Sequence, residues 1–163
     1  MPLGRVHFFA GDLFVSDELR GKELFDAGVI DLFARADYRV VNLEAPLTPD
    51  RKKNRILKTG PHLRAAAETV IPALKALKVY LAALANNHLM DYGENGLADT
   101  LAGLRGAGIA TVGAGSSLGE AAKPCVLERD GLRLTFLNFA ENEWSAASAG
   151  RSGVIPMEPN GDL

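Results

Sequence analysis

The strongest constraint on this chain is a unit that recurs along it: a short apolar run, a polar or glycine-rich elbow, then a stretch with helical spacing. Arg5 to Ala10 reads as a strand that ends at Gly11-Asp12. From Asp17 to Ala36, Leu19, Leu24, Phe25, Val29, Leu32 and Phe33 recur with helical spacing despite Gly21 and Gly28. Tyr38 to Leu43 is a second strand, ending at Glu44 and stopped by Pro46. Thr48 to Pro61 is polar and basic and reads as a long excursion. Ala65 to Leu77 is Ala-rich and helical, with Pro72 expected to kink or split it. Val79 to Leu84 is a third strand and leads into Ala85-Asn86-Asn87-His88. Gly93 to Gly106 is helical again, Ile109 to Val112 a short strand, and Ser116 to Ala122 a short helix. Val126 to Glu128 and Leu132 to Phe139 flank Arg129-Asp130-Gly131, a hairpin turn. Beyond Ala140 the pattern dissolves, and residues 141–163 read as a loop-like tail.

Strands alternating with helices imply an α/β fold with a mainly parallel sheet. Residues 1–163 suffice for a single domain with a real core. In such sheets ligands bind outside the carboxyl ends of the strands. Three strand ends carry Asp12, Glu44 and Asn86-Asn87-His88, which places polar chemistry on one rim.

Taken singly, each elbow has an ordinary structural explanation. Asp12 after a glycine suits a helix cap or an Asx-turn. Glu44 suits a solvated loop, and His88 suits a histidine that satisfies a buried carbonyl. Asn86-Asn87 suits a turn, because asparagine tolerates the left-handed region. Taken together, two carboxylates, a carboxamide oxygen and an imidazole are the hard ligands that Mg²⁺, Mn²⁺, Zn²⁺ or Fe prefer. A metal pair on such a rim clamps a phosphate and generates hydroxide near neutral pH, and a nearby histidine can protonate the leaving oxygen.

The same residues carry a family resemblance. Gly11-Asp12-Leu13, Val41 to Thr48, Lys58-Thr59-Gly60-Pro61 and Ala85 to Gly93 resemble the bacterial capsule-synthesis (CapA-type, poly-γ-glutamate biosynthesis) family. The likeness continues through Gly96 to Leu101, Gly108-Ile109, Val112 to Gly115, Ala121 to Pro124 and Leu137 to Glu143. It implies kinship with calcineurin-like metallophosphoesterases and an α-β-β-α sandwich, of which this chain would supply roughly the first sheet and its helices. It implies a divalent metal (Mn, Zn, Mg or Fe) held by Asp12, Glu44, Asn87 and His88. His88 would also be catalytic, with Asp91 as its supporting partner. Asn86 stands where many relatives have glycine. The Asp-x-His of active phosphoesterases is missing, since Leu13 and Phe14 follow Asp12 and His7 is misplaced for the role. The family continues into a second half with further histidine motifs. The expectation is therefore the N-terminal part of a longer domain with a half-site, or a chain that dimerises through an uncovered apolar face.

Two functions follow from the resemblance: a phosphoesterase-like protein of capsule or poly-γ-glutamate production, or a non-catalytic polymer-binding or assembly partner. The expected partner is an anionic polymer or a phosphate-containing substrate. A net charge of −2 gives no reason to expect nucleic acid. The single Cys125 excludes an intrachain disulfide and a thiolate zinc cluster, and reads as a core residue. No apolar run reaches the ~18 residues of a membrane span. The default location is thus cytoplasmic, or envelope-associated if a leader has been removed. Arg51-Lys52-Lys53 with Arg55 and Lys58 form the one basic cluster, read as a solvated loop that can meet an anion. Gly113 to Gly119 reads as a turn rather than a dinucleotide fingerprint, because its third glycine is misplaced. His62 is set aside as a loop residue, and Trp144 reads as a packing residue that could also form a rim.

Overall fold

The computed structural model describes residues 5–49, 53–129 and 131–157. Its centre is a parallel four-stranded sheet in the order β1 (His7–Leu13), β2 (Tyr38–Leu43), β3 (Leu81–Ala83), β4 (Ala110–Val112). Helices α1 (Ala27–Ala34), α2 (Ala67–Ala76) and α3 (Gly93–Gly106) fall between successive strands. An unreversed strand order with right-handed crossovers places every connecting helix on one face. The side-chain alternation agrees. Val41, Leu43 and Ala82 pack in one core with Phe33, Val70, Leu74, Leu97 and Leu104 from the three helices. Their strand neighbours Val40 and Leu81 point the other way, into a smaller cluster with Val112.

That second face is covered by an antiparallel hairpin, β6 (Cys125–Arg129) and β7 (Leu132–Phe136). Cys125, Leu127 and Phe136 pack against the cluster, and burial raises the Cys125 thiol pKa as expected of a core cysteine. The apolar face is therefore closed at its centre. Phe9, ring to ring with Phe136 at 6.1 Å, remains 63% exposed at the β1 edge. At the hairpin's tip Gly131 takes φ +76°, while Asp130 lies outside the described residues.

Several elements differ from the sequence reading for local reasons. β1 runs on to Leu13, so Asp12 sits within the strand opposite Asn42, beside a register irregularity after Phe9. The expected helix from Asp17 to Ala36 is only a 3-10 turn at Asp17–Leu19, then α1. Gly21 at φ +74° breaks the run, and Asp26 restarts it by capping the Val29 amide at 2.9 Å. Pro72 lies inside α2 without splitting it. The stretch Gly113 to Gly119 is a turn, with β5 (Ala114–Gly115) followed by the one-turn α4 (Leu118–Ala121) capped by Ser117.

The expected loop-like tail is folded as far as Met157. Two-residue strands β8 (Ala140–Glu141) and β10 (Pro156–Met157) pair in parallel, and β9 (Gly153–Val154) pairs with β5. Ala147, Val154 and Ile155 enter the main core. Residues 158–163 lie outside the described residues. Among the described residues no helix is long and apolar enough to cross a membrane.

One distant carboxylate holds the start of α2. The helix's N-cap is Ala66, whose side chain cannot accept a bond, and Asp17 accepts the Ala66 amide at 2.7 Å instead. Arg64 pairs with the same carboxylate. Burial alone would raise the Asp17 pKa, but the Ala66 amide and the Arg64 and Arg20 guanidinium groups outweigh it and hold the pKa below its usual value. A depressed carboxylate stabilises the fold above its unfolded pKa, and that contribution is lost as pH falls through the folded value. Asp17→Ala is expected to cost about 1 kcal/mol at neutral pH, the scale of a lost helix cap. In urea melts the gap from wild type should close as pH falls below 3.8, the unperturbed carboxyl value.

Candidate functional site

The carboxyl ends of β1, β2 and β3 bring the predicted residues to one rim in two linked groups. In the first, the Asn42 side chain lies between the two carboxylates. Its Nδ2 donates to Asp12 Oδ1 and to Glu44 Oε2, each at 2.7 Å. Both acceptors are carboxylates with no hydrogen to give, so the NH₂ of Asn42 must face them. Asp12 is exposed and Glu44 half-buried. The Glu44 pKa is raised, first by burial and then by the Asp12 charge, against lowering by His88 and the Asn42 bond. Two carboxylates held this close resist sharing the rim without a counter-charge.

The second group is the loop after β3. Asn86 is buried and ties it to the first. Its Nδ2 donates to Leu43 O at 2.9 Å and to Asn42 Oδ1 at 3.2 Å. Its Oδ1 accepts the amides of His88 and Leu89, at 3.0 and 2.9 Å. A glycine at position 86 could do none of this, so asparagine here is a structural hub. Asn87 is exposed, and its carbonyl accepts the Trp144 indole N–H at 3.0 Å.

His88 then turns its Nδ1 to Asp91 Oδ2 at 2.8 Å. An unprotonated Nδ1 at that distance would face a carboxylate lone pair, so the proton sits on Nδ1 and leaves the Nε2 lone pair available. The Asp91 side chain is fully buried and that of His88 is 14% exposed. Asp91 Oδ2 also accepts the Leu63 amide at 2.7 Å, and its Oδ1 pairs with the Lys58 ammonium. The turn that places Asp91 closes through Gly93, whose amide donates to Met90 O and whose φ of +60° suits glycine.

Lys58 corrects the sequence reading. It was grouped with a solvent-facing basic cluster, yet its side chain is only 4% exposed. Its Nζ lies 3.4 Å from His88 Nδ1 and 5.3 Å from the centre of the Trp144 ring. Arg51 and Lys52, from the same cluster, lie outside the described residues. Arg55 stays exposed, over the Tyr92 ring with its Nε 3.1 Å from Tyr92 Oη. The only sequence signal for Lys58 was its place in the Lys-Thr-Gly-Pro segment shared with the resembled family. His62, set aside as a ligand, bonds Ile56 O through Nε2 at 2.8 Å. His7 stacks on Tyr38, away from the rim.

Two pairs are therefore assembled, Asp12 with Glu44 and His88 with Asp91. Among the described residues no three His, Cys, Asp or Glu side chains already converge as a cation cage. A small open cleft of about 260 Å³ is lined by Ala85, Asn86, Asn87, Ala140, Glu141 and Glu143. A larger, mainly apolar groove of about 450 Å³ between residues 19–25 and α2 holds no comparable constellation.

The family profile described as bacterial capsule synthesis protein PGA_cap matches residues 7–160, nearly the whole chain, and the chain belongs to that family. It is 31% identical over 160 residues to the PGA biosynthesis protein CapA of Bacillus subtilis, covering 93% of this chain and 42% of that protein. It is 32% identical over 128 residues to the capsule biosynthesis protein CapA of Bacillus anthracis, covering 77% of this chain and 31% of that protein. A probable polyglutamine synthesis accessory protein of Mycobacterium tuberculosis is 43% identical over 82 residues, half of this chain and 21% of its own length. The chain thus spans less than half the length of these curated relatives.

Asn86→Ala tests whether the loop is built as described. It leaves the His88 and Leu89 amides and the Leu43 carbonyl short of a partner, at about 1–3 kcal/mol for each group that stays unsatisfied. The expected result is a urea midpoint lowered by the equivalent of about 2–4 kcal/mol, with loss of slow hydrogen exchange at the two amides. An unchanged midpoint would show that the Asn86 bonds do not hold the loop.

Proposed function

We propose that this rim is a divalent-cation site of metallophosphoesterase type, which hydrolyses a phosphate ester in capsule or poly-γ-glutamate production. The observation that carries the reading is the pairing of His88 Nδ1 with buried Asp91, on a rim where His88 is near enough to Glu44 to lower its pKa and Asn42 bridges Glu44 to Asp12. On this reading the parallel sheet and its helices are the first half of an α-β-β-α sandwich. The hairpin lies on the face that a second sheet would cover.

The residues suit such an ion. Asp12 and Glu44 offer anionic oxygens, Asn87 a neutral carboxamide oxygen and His88 its Nε2, a set that Mn²⁺, Zn²⁺, Mg²⁺ or Fe accepts. The Glu44 pKa is raised first by burial and then by the Asp12 charge, and a bound cation would offset both. When bound, the ion would polarise a phosphoryl oxygen and make hydroxide available near neutral pH.

The protein's own part is positional and electrostatic. Asn42 holds Asp12 and Glu44 at a fixed separation, and Asn86 ties that pair to the His88 backbone. Asp91 keeps a proton on Nδ1, so in the neutral ring the Nε2 lone pair would ligate the ion. To donate to a departing oxygen, Nε2 would first have to take up a second proton, giving an imidazolium that the Asp91 carboxylate stabilises. Asp12 and Glu44 would repel a phosphate or a polyglutamate, so an anionic substrate needs the cation first.

One observation favours a second reading, a non-catalytic polymer-binding or assembly partner of the same family: the absence of a ready cage among the described residues. Calorimetric titration of the metal-free protein with Mn²⁺ and Zn²⁺ separates the two, paired with an assay on bis(p-nitrophenyl) phosphate. The phosphoesterase reading expects near-stoichiometric binding that Asp12→Asn with Glu44→Gln abolishes. It also expects turnover that falls roughly 10²- to 10⁴-fold in His88→Gln. Metal-independent binding of poly-γ-glutamate, with no hydrolysis and no bound metal, would support the assembly partner instead.

A further inference from the structure

Lys58 is buried and charged, and the chemistry above makes no use of it. Its side chain is 4% exposed and pairs with an Asp91 side chain that is 0% exposed. Taking both charges out of water costs several kcal/mol per ion, and apolar residues of similar volume commonly serve stability as well. Stability is therefore a weak reason for the pair, and its geometry suggests another.

Asp91 receives donors unequally. Oδ2 accepts both the Leu63 amide and His88 Nδ1, at 2.7 and 2.8 Å, while Oδ1 has Lys58. Lys58 is the donor on the buried Oδ1, and without it the carboxylate is free to turn so that the two donors crowded on Oδ2 are shared between its oxygens. Lys58 is itself fixed from two sides. Its Nζ lies over the Trp144 ring, and the Trp144 indole is anchored on the Asn87 carbonyl. The loop that bears His88 and the folded tail thus hold the ammonium between them.

We propose that Lys58 is a positioning residue, which locks the Asp91 carboxylate so that it fixes the ring orientation and Nδ1–H tautomer of His88. This rests on the reading of His88 as the imidazole of the site, but not on metal binding or turnover. Lys58 Nζ also lies 3.4 Å from His88 Nδ1, but an ammonium and an Nδ1–H are both donors and cannot bond each other, so Lys58 acts through Asp91.

The test is the imidazole ¹⁵N spectrum of the metal-free protein, with His88 assigned by its loss in His88→Gln. Wild type should show His88 as the Nδ1–H tautomer. A wild-type spectrum with the proton on Nε2 would overturn the proposal without any variant. In Lys58→Met the His88 signals should lose that single tautomer while those of His7 and His62 stay in place. Lys58→Arg, which keeps a charged donor, should largely restore them. Unchanged His88 signals in a folded Lys58→Met would also overturn the proposal. If Lys58→Met does not fold, Lys58→Gln, an uncharged donor, takes its place and should leave the tautomer intermediate; unchanged signals there count against the proposal equally. Where Mn²⁺ binds wild type, Lys58→Met should weaken it about 10- to 100-fold, the range for lost ligand-orienting partners. A protein that binds no metal but shows the expected tautomers would sink the proposed function and leave this inference standing.

Discussion

The site depends on one buried carboxylate. An isolated ionised Asp91 in a dry interior would be too costly to keep, so the fold must bring donors to it from several directions. It does so with three donors from two segments: Lys58 and the Leu63 amide from the stretch between β2 and α2, and His88 from the loop after β3. The Asp91 carbonyl adds a fourth tie by accepting the Ile56 amide at 3.2 Å. The basic excursion is thereby folded onto the rim. The same carboxylate that organises this packing also dictates which nitrogen of His88 faces outward.

The sheet supplies the other half of the arrangement. Parallel strands in unreversed order deliver their carboxyl ends to one edge and all three helices to one face. Asn42 and Asn86 then convert proximity into fixed spacing, because a carboxamide donates and accepts at once and can join a carboxylate to a backbone. The carboxylates are thus linked through the Asn42 and Asn86 side chains to the His88 backbone amide by a continuous chain of hydrogen bonds. That chain is why the rim has defined geometry before any ligand arrives.

Local periodicity carried most of the fold. The limits of β2 and α3 follow directly from apolar spacing and flanking glycines, and the hairpin from Arg129-Asp130-Gly131. The false long helix after Asp17 arose because spacing alone does not register a glycine at positive φ or an aspartate that restarts the helix. The tail was misread because its order comes from pairing with distant segments, which no local pattern encodes. At the site, Asp12, Glu44, Asn87, His88 and Asp91 were legible as residues at strand ends or within a family motif. Asn86 was legible as a turn, but its four bonds were not. The burial of Lys58 was not legible, for a physical reason: a lysine in a basic loop looks solvated until the carboxylate that buries it is placed in space. The chain belongs to the PGA_cap family, while the chemistry performed at the rim is decided by what the rim binds.

The most direct test of the account is anomalous diffraction from crystals of the protein soaked in Mn²⁺. The account predicts a single strong peak, or a close pair, between the Asp12 and Glu44 carboxylates and on the Nε2 side of His88, with Nδ1 still bonded to Asp91. A peak elsewhere, no peak at saturating Mn²⁺, or a His88 ring turned away from Asp91 would contradict it.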